Sequence, residues 1–472
     1  MIKSLFANIS IVVLLNLLIK PLWLYVEMLI QNHVGHEDWG MYAAMLSFGF
    51  LFLSLSDLGI NQYTTKRLAG EPELVKVFLP NLFSFKLLIT LIYPFIMWMA
   101  GWLMGYPPRK LYFLFLLCFV HGGGQLMQFF RANLQASQKF KLDGFLSILD
   151  KVILLSLCLY LFMTQLTIDR YVYARLLAIG ITVLAFMAVI RRLYFGFRLS
   201  FDGKFIKGVV SASLGLALMT ILYSVHDKVD QVMLERLAGD VPNGLYSAAY
   251  RWLEAVSMFL WTVLPIFFAR FSFFKDNEVE QEKLLHFGQV ITAIPLLYIA
   301  IWVWNYAELL LFPFTESTPE ELEIIAACLR AIFVAVGING CFAIFSTYLT
   351  STGYEGKVNI MAIGSIALNI VLNFIFIPRY GAVACAWTTV LSYAFMSVAY
   401  LIYIEWKLTI SIPYVQIVKL LLLGGIVFGG FHLLEGLGMS WYVVSILAFF
   451  LTILAAFLLG LLNRDTFQSF RV

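Results

Sequence analysis

Apolar runs broken by short polar stretches recur along this chain from residue 8 to residue 462. Crossing ~30 Å of hydrocarbon takes roughly 20 mostly apolar residues in a helix. Fourteen stretches meet that requirement, at 8–31, 39–60, 79–103, 110–134, 143–164, 170–190, 208–234, 243–269, 285–311, 321–349, 358–377, 380–404, 413–434 and 440–462. Gly, Ala, Leu and aromatic residues run through them without the two-residue alternation of a membrane barrel. The expectation is an all-α polytopic membrane protein with 14 transmembrane helices in a cytoplasmic-type inner membrane. The opening MIKSLFANISIVVLLNLLIK resembles a signal peptide but has no small-residue cleavage site and continues through Trp23 to Ile30, so it reads as the first span.

Composition agrees: of 472 residues, 61% are hydrophobic and only 13% charged, far more apolar surface than a soluble core of this size needs. Loop charges give orientation, because Lys and Arg accumulate on the cytoplasmic side. With the N-terminus inside, the inner segments hold eighteen Lys and Arg and the outer segments five, Arg109, Lys110, Arg170, Arg236 and Arg379. Both termini are therefore expected in the cytoplasm. The net charge of +4 reflects this topology and gives no support to nucleic-acid binding. The five cysteines, Cys118, Cys158, Cys328, Cys341 and Cys385, all fall inside spans, where neither disulfides nor a metal site is indicated.

A pattern recurs on either side of the longest basic loop, Arg191 to Gly208. GHEDWGMYAAM (Gly35 to Met45) matches GDVPNGLYSAAY (Gly239 to Tyr250), superposing Gly35 on Gly239, Gly40 on Gly244 and Tyr42 on Tyr246. A weaker echo links FFRANLQASQKF with IFSTYLTSTGYEGK. Each half starts inside and has six spans, so the repeats are parallel, related by an axis along the membrane normal. The expected organisation is an N-lobe at 1–195 (spans one to six), a basic linker at 196–207, a C-lobe at 208–408 (spans seven to twelve), and spans thirteen and fourteen with a cytoplasmic tail at 409–472.

LSDLGINQYTTKRLAG (Leu55 to Gly70), VDQVMLERLAGDVPNGLYSAAYR (Val229 to Arg251) and LNIVLNFIFIPRYGAVACAWTTVLSY (Leu368 to Tyr393) resemble the MOP superfamily, in particular its polysaccharide-transporter branch of Wzx-type flippases. The similarity covers the whole chain in span number, order and loop motifs, each motif alone being loose. It implies a lipid-linked oligosaccharide, typically on undecaprenyl pyrophosphate, moved from the inner to the outer leaflet by alternating access for surface polysaccharide biosynthesis. Partners on this reading are the lipid-linked substrate, membrane lipids and, as an open expectation, glycan polymerase or export machinery. Lipid II flippases and cation-coupled drug exporters share the superfamily and stay open as alternatives. A membrane-embedded glycosyltransferase or polymerase is disfavoured, because the loops are short and lack a clustered acid pair. No Walker motif appears, and the chain reads as a transporter rather than an enzyme, with no cofactor and with a coupling ion, proton or sodium, left open.

Ionised side chains inside a bilayer usually face a bundle interior or a water-filled cavity. On span one Asn16, Lys20, Trp23 and Glu27 fall on one stripe, with Pro21 expected to kink the helix. On span seven Thr220, Tyr223, Asp227 and Asp230 share a face, with Lys228 pointing to one side. Lys20, Lys86, Arg251 and Arg330, two from each half, are the candidates for a shared cationic cavity that matches a pyrophosphate; Lys228, Arg175 and Lys151 are secondary. Asp227, Asp230 and Glu27 are candidates for ion or proton coupling, since nearby buried carboxylates raise each other's proton affinity. Static pairing of these acids with Lys228, Arg251 or Arg236 is the competing expectation. Asp57, Arg131 and Lys419 lie near inner span ends and are read as interfacial. Gly122, Gly123 and Gly124 are expected to permit close helix packing.

Overall fold

A helix satisfies its own backbone hydrogen bonds, which is what hydrocarbon demands of a crossing segment. The computed structural model describes residue 19 and residues 22–61, 63–64, 67, 74–137, 139–194, 199–275 and 277–462; among them no strand occurs. The principal helices are α1 (22–34), α2 (His36–Leu51), α3 (Val75–Leu103), α4 (Pro108–Ala136), α5 (Phe140–Ser147), α6 (Leu149–Met163), α7 (Ile168–Leu193), α8 (Gly203–Ala238), α9 (Asp240–Phe273), α10 (Glu278–Tyr306), α11 (Pro319–Ser351), α12 (Glu355–Lys407), α13 (Tyr414–Gly436) and α14 (Trp441–Leu458).

Ten helical runs among the described residues are long and apolar enough to cross a membrane, and α8, bent by 58° between Gly203–Gly215 and Thr220–Ala238, makes an eleventh. The 53 residues of α12 would stretch ~80 Å if straight, more than twice a bilayer core. They fold back instead: Gly381 sits at φ 56, ψ −133, a conformation open to glycine. Ser365 Oγ then donates to the Ser392 carbonyl at 3.2 Å across the hairpin. Spans eleven and twelve are thus one run with a glycine corner. Span one is described only from residue 22, apart from Ile19, and span two shows 16 helical residues in α2.

Helix starts follow the local chemistry. Thr318 and Glu321 form a reciprocal capping box ahead of α11, with Pro319 in its first turn. Asp202 accepts the Lys204 and Phe205 amides at 2.9 and 3.1 Å to open α8.

By contacts the chain divides into unit 1, Met1–Gly244, and unit 2, Leu245–Val472. Within unit 1, α4 packs against α3, α2 and α7, and α8 packs on α2. Gly122 and Gly123 make this possible: an added Cβ would lie 2.7 Å from Thr90 of α3 and 2.8 Å from Ile179 of α7. Because α8 groups with unit 1, the packing division falls later in the chain than the sequence repeat, which begins its second copy at span seven. Within unit 2, α11 packs between α10 and α12, and α13 and α14 pack together on α10. Tyr298 and Trp302 of α10 fix that last contact, donating to the Ser445 carbonyl and hydroxyl, each at 2.8 Å.

Two breaks in unit 1 differ from the uninterrupted spans expected at 39–60 and 143–164. Span five is divided at Ile148 into α5 and α6. Span two leaves α-helix after Leu51, passes through a 3-10 turn at Leu53–Ser56 and places Leu58 at φ 52. A left-handed leucine is strained by roughly 1–2 kcal/mol, and tertiary contacts hold it: Ser213 of α8 donates to the Leu58 carbonyl at 2.7 Å. Ser54 in turn donates to the Ala217 carbonyl at 3.2 Å, inside the bend of α8. The two irregular backbones therefore satisfy each other, as irregular structure at membrane depth must.

Candidate functional site

The buried polar centre of unit 1 begins with spacing. Tyr171 and Arg175 lie four apart on α7 and so share a face. Glu27 of α1, only 8% exposed, accepts a hydrogen bond from Tyr171 at 3.0 Å and lies 3.7 Å from the Arg175 guanidinium. Arg175 also donates to the Tyr42 hydroxyl of α2. Its guanidinium stands 5.8 and 5.9 Å from the centroids of the Tyr42 and Tyr171 rings, and Trp39 closes the aromatic box 4.9 Å from Tyr42. Electrostatics and ring faces together hold one arginine and one carboxylate away from water. Nearby on α6, Lys151 lies 3.4 Å from Asp150 and 5.2 Å from the Trp23 ring centroid.

A second pair sits at the break after α2. Lys86 of α3 is fully buried and donates to Asp57 and, at 3.1 Å, to Asn61, whose amide reaches Gln125 of α4 at 2.8 Å. This corrects two expectations. Asp57 is not interfacial, being 6% exposed, and Lys86 is sealed by protein instead of facing an open cavity, because a buried ammonium demands a nearby carboxylate. Arg131 is likewise not a free interfacial charge: it donates to Asp143 of α5 at 2.8 Å.

The end of unit 1 where α2, α4, α8 and α9 start or finish is held by charge and by close backbone approach. Lys110 bridges Glu235, without which α8 would end in a buried carboxylate, and Asp240 at 2.8 Å. Tyr106 donates to Glu235 at 3.0 Å; burial beside that carboxylate pushes its phenol well above the ordinary value and keeps it a donor. Arg236 reaches the Met104 carbonyl at 2.8 Å and the Tyr106 ring at 4.7 Å, so it does not pair with Asp227 or Asp230. The repeated glycines meet here. A Cβ on Gly40 would fall 1.8 Å from the Asp240 carbonyl oxygen, and one on Gly244 would fall 2.0 Å from that of His36. His36 and Gly40 correspond to Asp240 and Gly244 in the sequence repeat, so the close approach is made through equivalent positions.

The remaining sequence candidates are dispersed. Asp230 is 5% exposed on α8, and Asp227 lies 3.4 Å from Lys228, so Lys228 turns toward its neighbour instead of standing apart from it. Gln231, one residue on, accepts from Ser47 of α2 at 2.5 Å. In unit 2, Arg251 is buried on α9. Arg330 reaches the end of α10, donating to Glu308 and, at 3.1 Å, to the Trp304 carbonyl. Lys20 and Pro21 lie outside the described residues. Sequence reasoning missed Tyr42, Tyr171 and Trp39 as partners, although the four-residue spacing of Tyr171 and Arg175 was readable. It also read Lys110 as a topological exception, where the structure gives it two carboxylates.

A family profile described as "Polysaccharide biosynthesis protein" matches residues 5–272. The chain is 23% identical over 385 residues to an uncharacterized membrane protein of Methanocaldococcus jannaschii, covering 76% of this chain and 88% of that one. Among solved structures it is similar to the lipid II flippase MurJ in an inward closed conformation, at TM-score 0.70 and 14% identity over 96% of this chain and 97% of that one. It is also similar to an inward-facing multidrug resistance MATE family transporter of the MOP superfamily, at TM-score 0.66 and 14% identity over 82% and 93% of the two chains. With more than half its length matched, the chain belongs to the polysaccharide biosynthesis protein family, and its many apolar helices take the polytopic membrane fold of those two solved structures.

Proposed function

We propose that the protein is a flippase carrying an anionic lipid-linked oligosaccharide, on undecaprenyl pyrophosphate, from the inner to the outer leaflet by alternating access, in the service of surface polysaccharide biosynthesis. The observation that carries this reading is the family match over residues 5–272, which takes in unit 1 from residue 5 onward and Arg251. A guanidinium offers a planar donor fork suited to phosphate oxygens. Arg251 and Lys20 are the proposed contacts for the pyrophosphate, with Arg330 drawn in when it leaves Glu308. The lobes at 1–195 and 208–408 are the proposed moving bodies, and the Gly40–Gly244 contact with the Lys110 bridges is the proposed outer closure. Glu27, Asp227 and Asp230 are the proposed coupling carboxylates, and the coupling ion is proton or sodium. Deleting the gene should remove the surface glycan and accumulate lipid-linked intermediate facing the cytoplasm. Wild-type protein should reverse both, whereas Arg251→Ala at normal protein level should reverse neither.

A second reading is lipid II export, favoured by the likeness to MurJ over 96% of this chain. Unchanged surface glycan with loss of peptidoglycan precursor export in the deletion strain would select it.

A further inference from the structure

In unit 2 a cavity of about 610 Å³ opens where the start of α10, the 408–413 connection, the start of α13 and the end of α14 meet. Loop charges place this end at the inner face of the membrane. Its ionisable lining groups other than Tyr414 are all basic, Lys283, His286 and Lys419, and its floor is apolar, with Phe287, Ile412 and Leu461. Each carboxylate at the rim is occupied by a lining residue: Glu282 takes the Ser411 amide and hydroxyl, each at 2.7 Å, Glu280 takes Lys283 at 2.7 Å, and Glu405 takes Tyr414 at 3.0 Å.

Lys419 differs from Lys283, the other lysine of this lining, which is paired with Glu280. It has no hydrogen-bond or ion-pair partner among the described residues. It lies five residues into α13, roughly 7 Å below the helix start, near the depth of lipid phosphates. Its ammonium is held against the last turn of α14, where a Cβ on Gly460 would lie 3.5 Å from Nζ. The partial negative charge of that helix end stabilises an ammonium only in part. A cation fixed at this depth beside an open cavity calls for an anion supplied by the membrane.

We infer that this cavity is a resident site for the headgroup of an anionic glycerophospholipid of the inner-facing leaflet. Lys419 takes the phosphate, and the acyl chains leave over Phe287 and Ile412. Bound there, the lipid braces α13 and α14 against α10. The inference goes beyond the transport reading and holds whichever substrate is carried.

The full-length protein, purified in mild detergent and stripped of lipid, is titrated with phosphatidylglycerol, phosphatidylethanolamine or undecaprenyl phosphate under native mass spectrometry, with thermal denaturation in parallel. One phosphatidylglycerol should be retained in preference to phosphatidylethanolamine and should raise the melting temperature. Lys419→Gln should weaken retention about five-fold, the effect of one basic residue near a lipid surface. Lys419→Arg should restore it, and Lys357→Gln, exposed at the start of α12, should leave it unchanged. Val415→Trp, which fills the cavity without removing charge, should also weaken retention and keeps the test valid if Lys419→Gln misfolds. Equal retention of both phospholipids, wild-type retention by both Lys419→Gln and Val415→Trp, or displacement of phosphatidylglycerol by equimolar undecaprenyl phosphate would each overturn the assignment.

Discussion

Unit 1 buries opposite charges, Glu27 with Arg175 and Asp57 with Lys86, whereas the α12 hairpin of unit 2 is tied by neutral groups. There Asn373 donates to Asn369 at 3.0 Å and accepts from Thr388, and Ser365 reaches the Ser392 carbonyl. Thr292 of α10 adds a bond to the Gly340 carbonyl of α11 at 2.7 Å. Neutral bonds hold at any pH and contribute about 1 kcal/mol each. A buried ion pair is different: losing one partner, by mutation or by protonation, leaves a charge costing about 3–5 kcal/mol. The two regions thus differ in what a proton or an ion can do to them. Removing one partner strands a charge in unit 1 and breaks only a neutral bond in the hairpin.

The largest effect expected from this difference is at Arg175. Arg175→Leu should lower unfolding stability by about 3–5 kcal/mol by stranding Glu27, and Arg175→Leu with Glu27→Gln should recover most of it in thermal denaturation. No recovery in the double variant would mean the pair is not the source. Lys86→Met should cost about 3 kcal/mol, with partial recovery on adding Asp57→Asn, less complete because Asn61 also loses its donor. Thr388→Val, in the hairpin, should cost about 1 kcal/mol with the same value at every pH from 5 to 8; a pH-dependent loss would erase the contrast between the regions. Arg109→Ala should move stability by less than about 0.5 kcal/mol, and less still at high salt, since its bridge to Asp38 is solvent-exposed.

The apolar rhythm made the helical fold readable, because a segment in lipid has few ways to satisfy its backbone. It did not reveal the breaks after α2 and in α8. Leu58 is left-handed because Ser213, 155 residues away, holds it there, and no local composition signals that. The repeated glycines were visible as a pattern, while their mutual contact needed the fold. Ionisable residues at membrane depth were singled out as a set, but their partners lay far along the chain: five helices, α2 to α6, lie between Glu27 and Arg175, and Lys86 found Asp57 across an unforeseen turn. Residue type gave the chemistry, and tertiary packing chose the pairs.

The most direct test of the central claim reconstitutes the purified protein in vesicles carrying undecaprenyl pyrophosphate-linked oligosaccharide with a fluorescent sugar, and follows its exposure to a membrane-impermeant quencher. Wild type should move labelled lipid across the bilayer well above protein-free vesicles, and Arg251→Ala should not. Transfer at the protein-free rate by wild type, in vesicles where the same preparation moves lipid II or a cationic drug, would contradict the account.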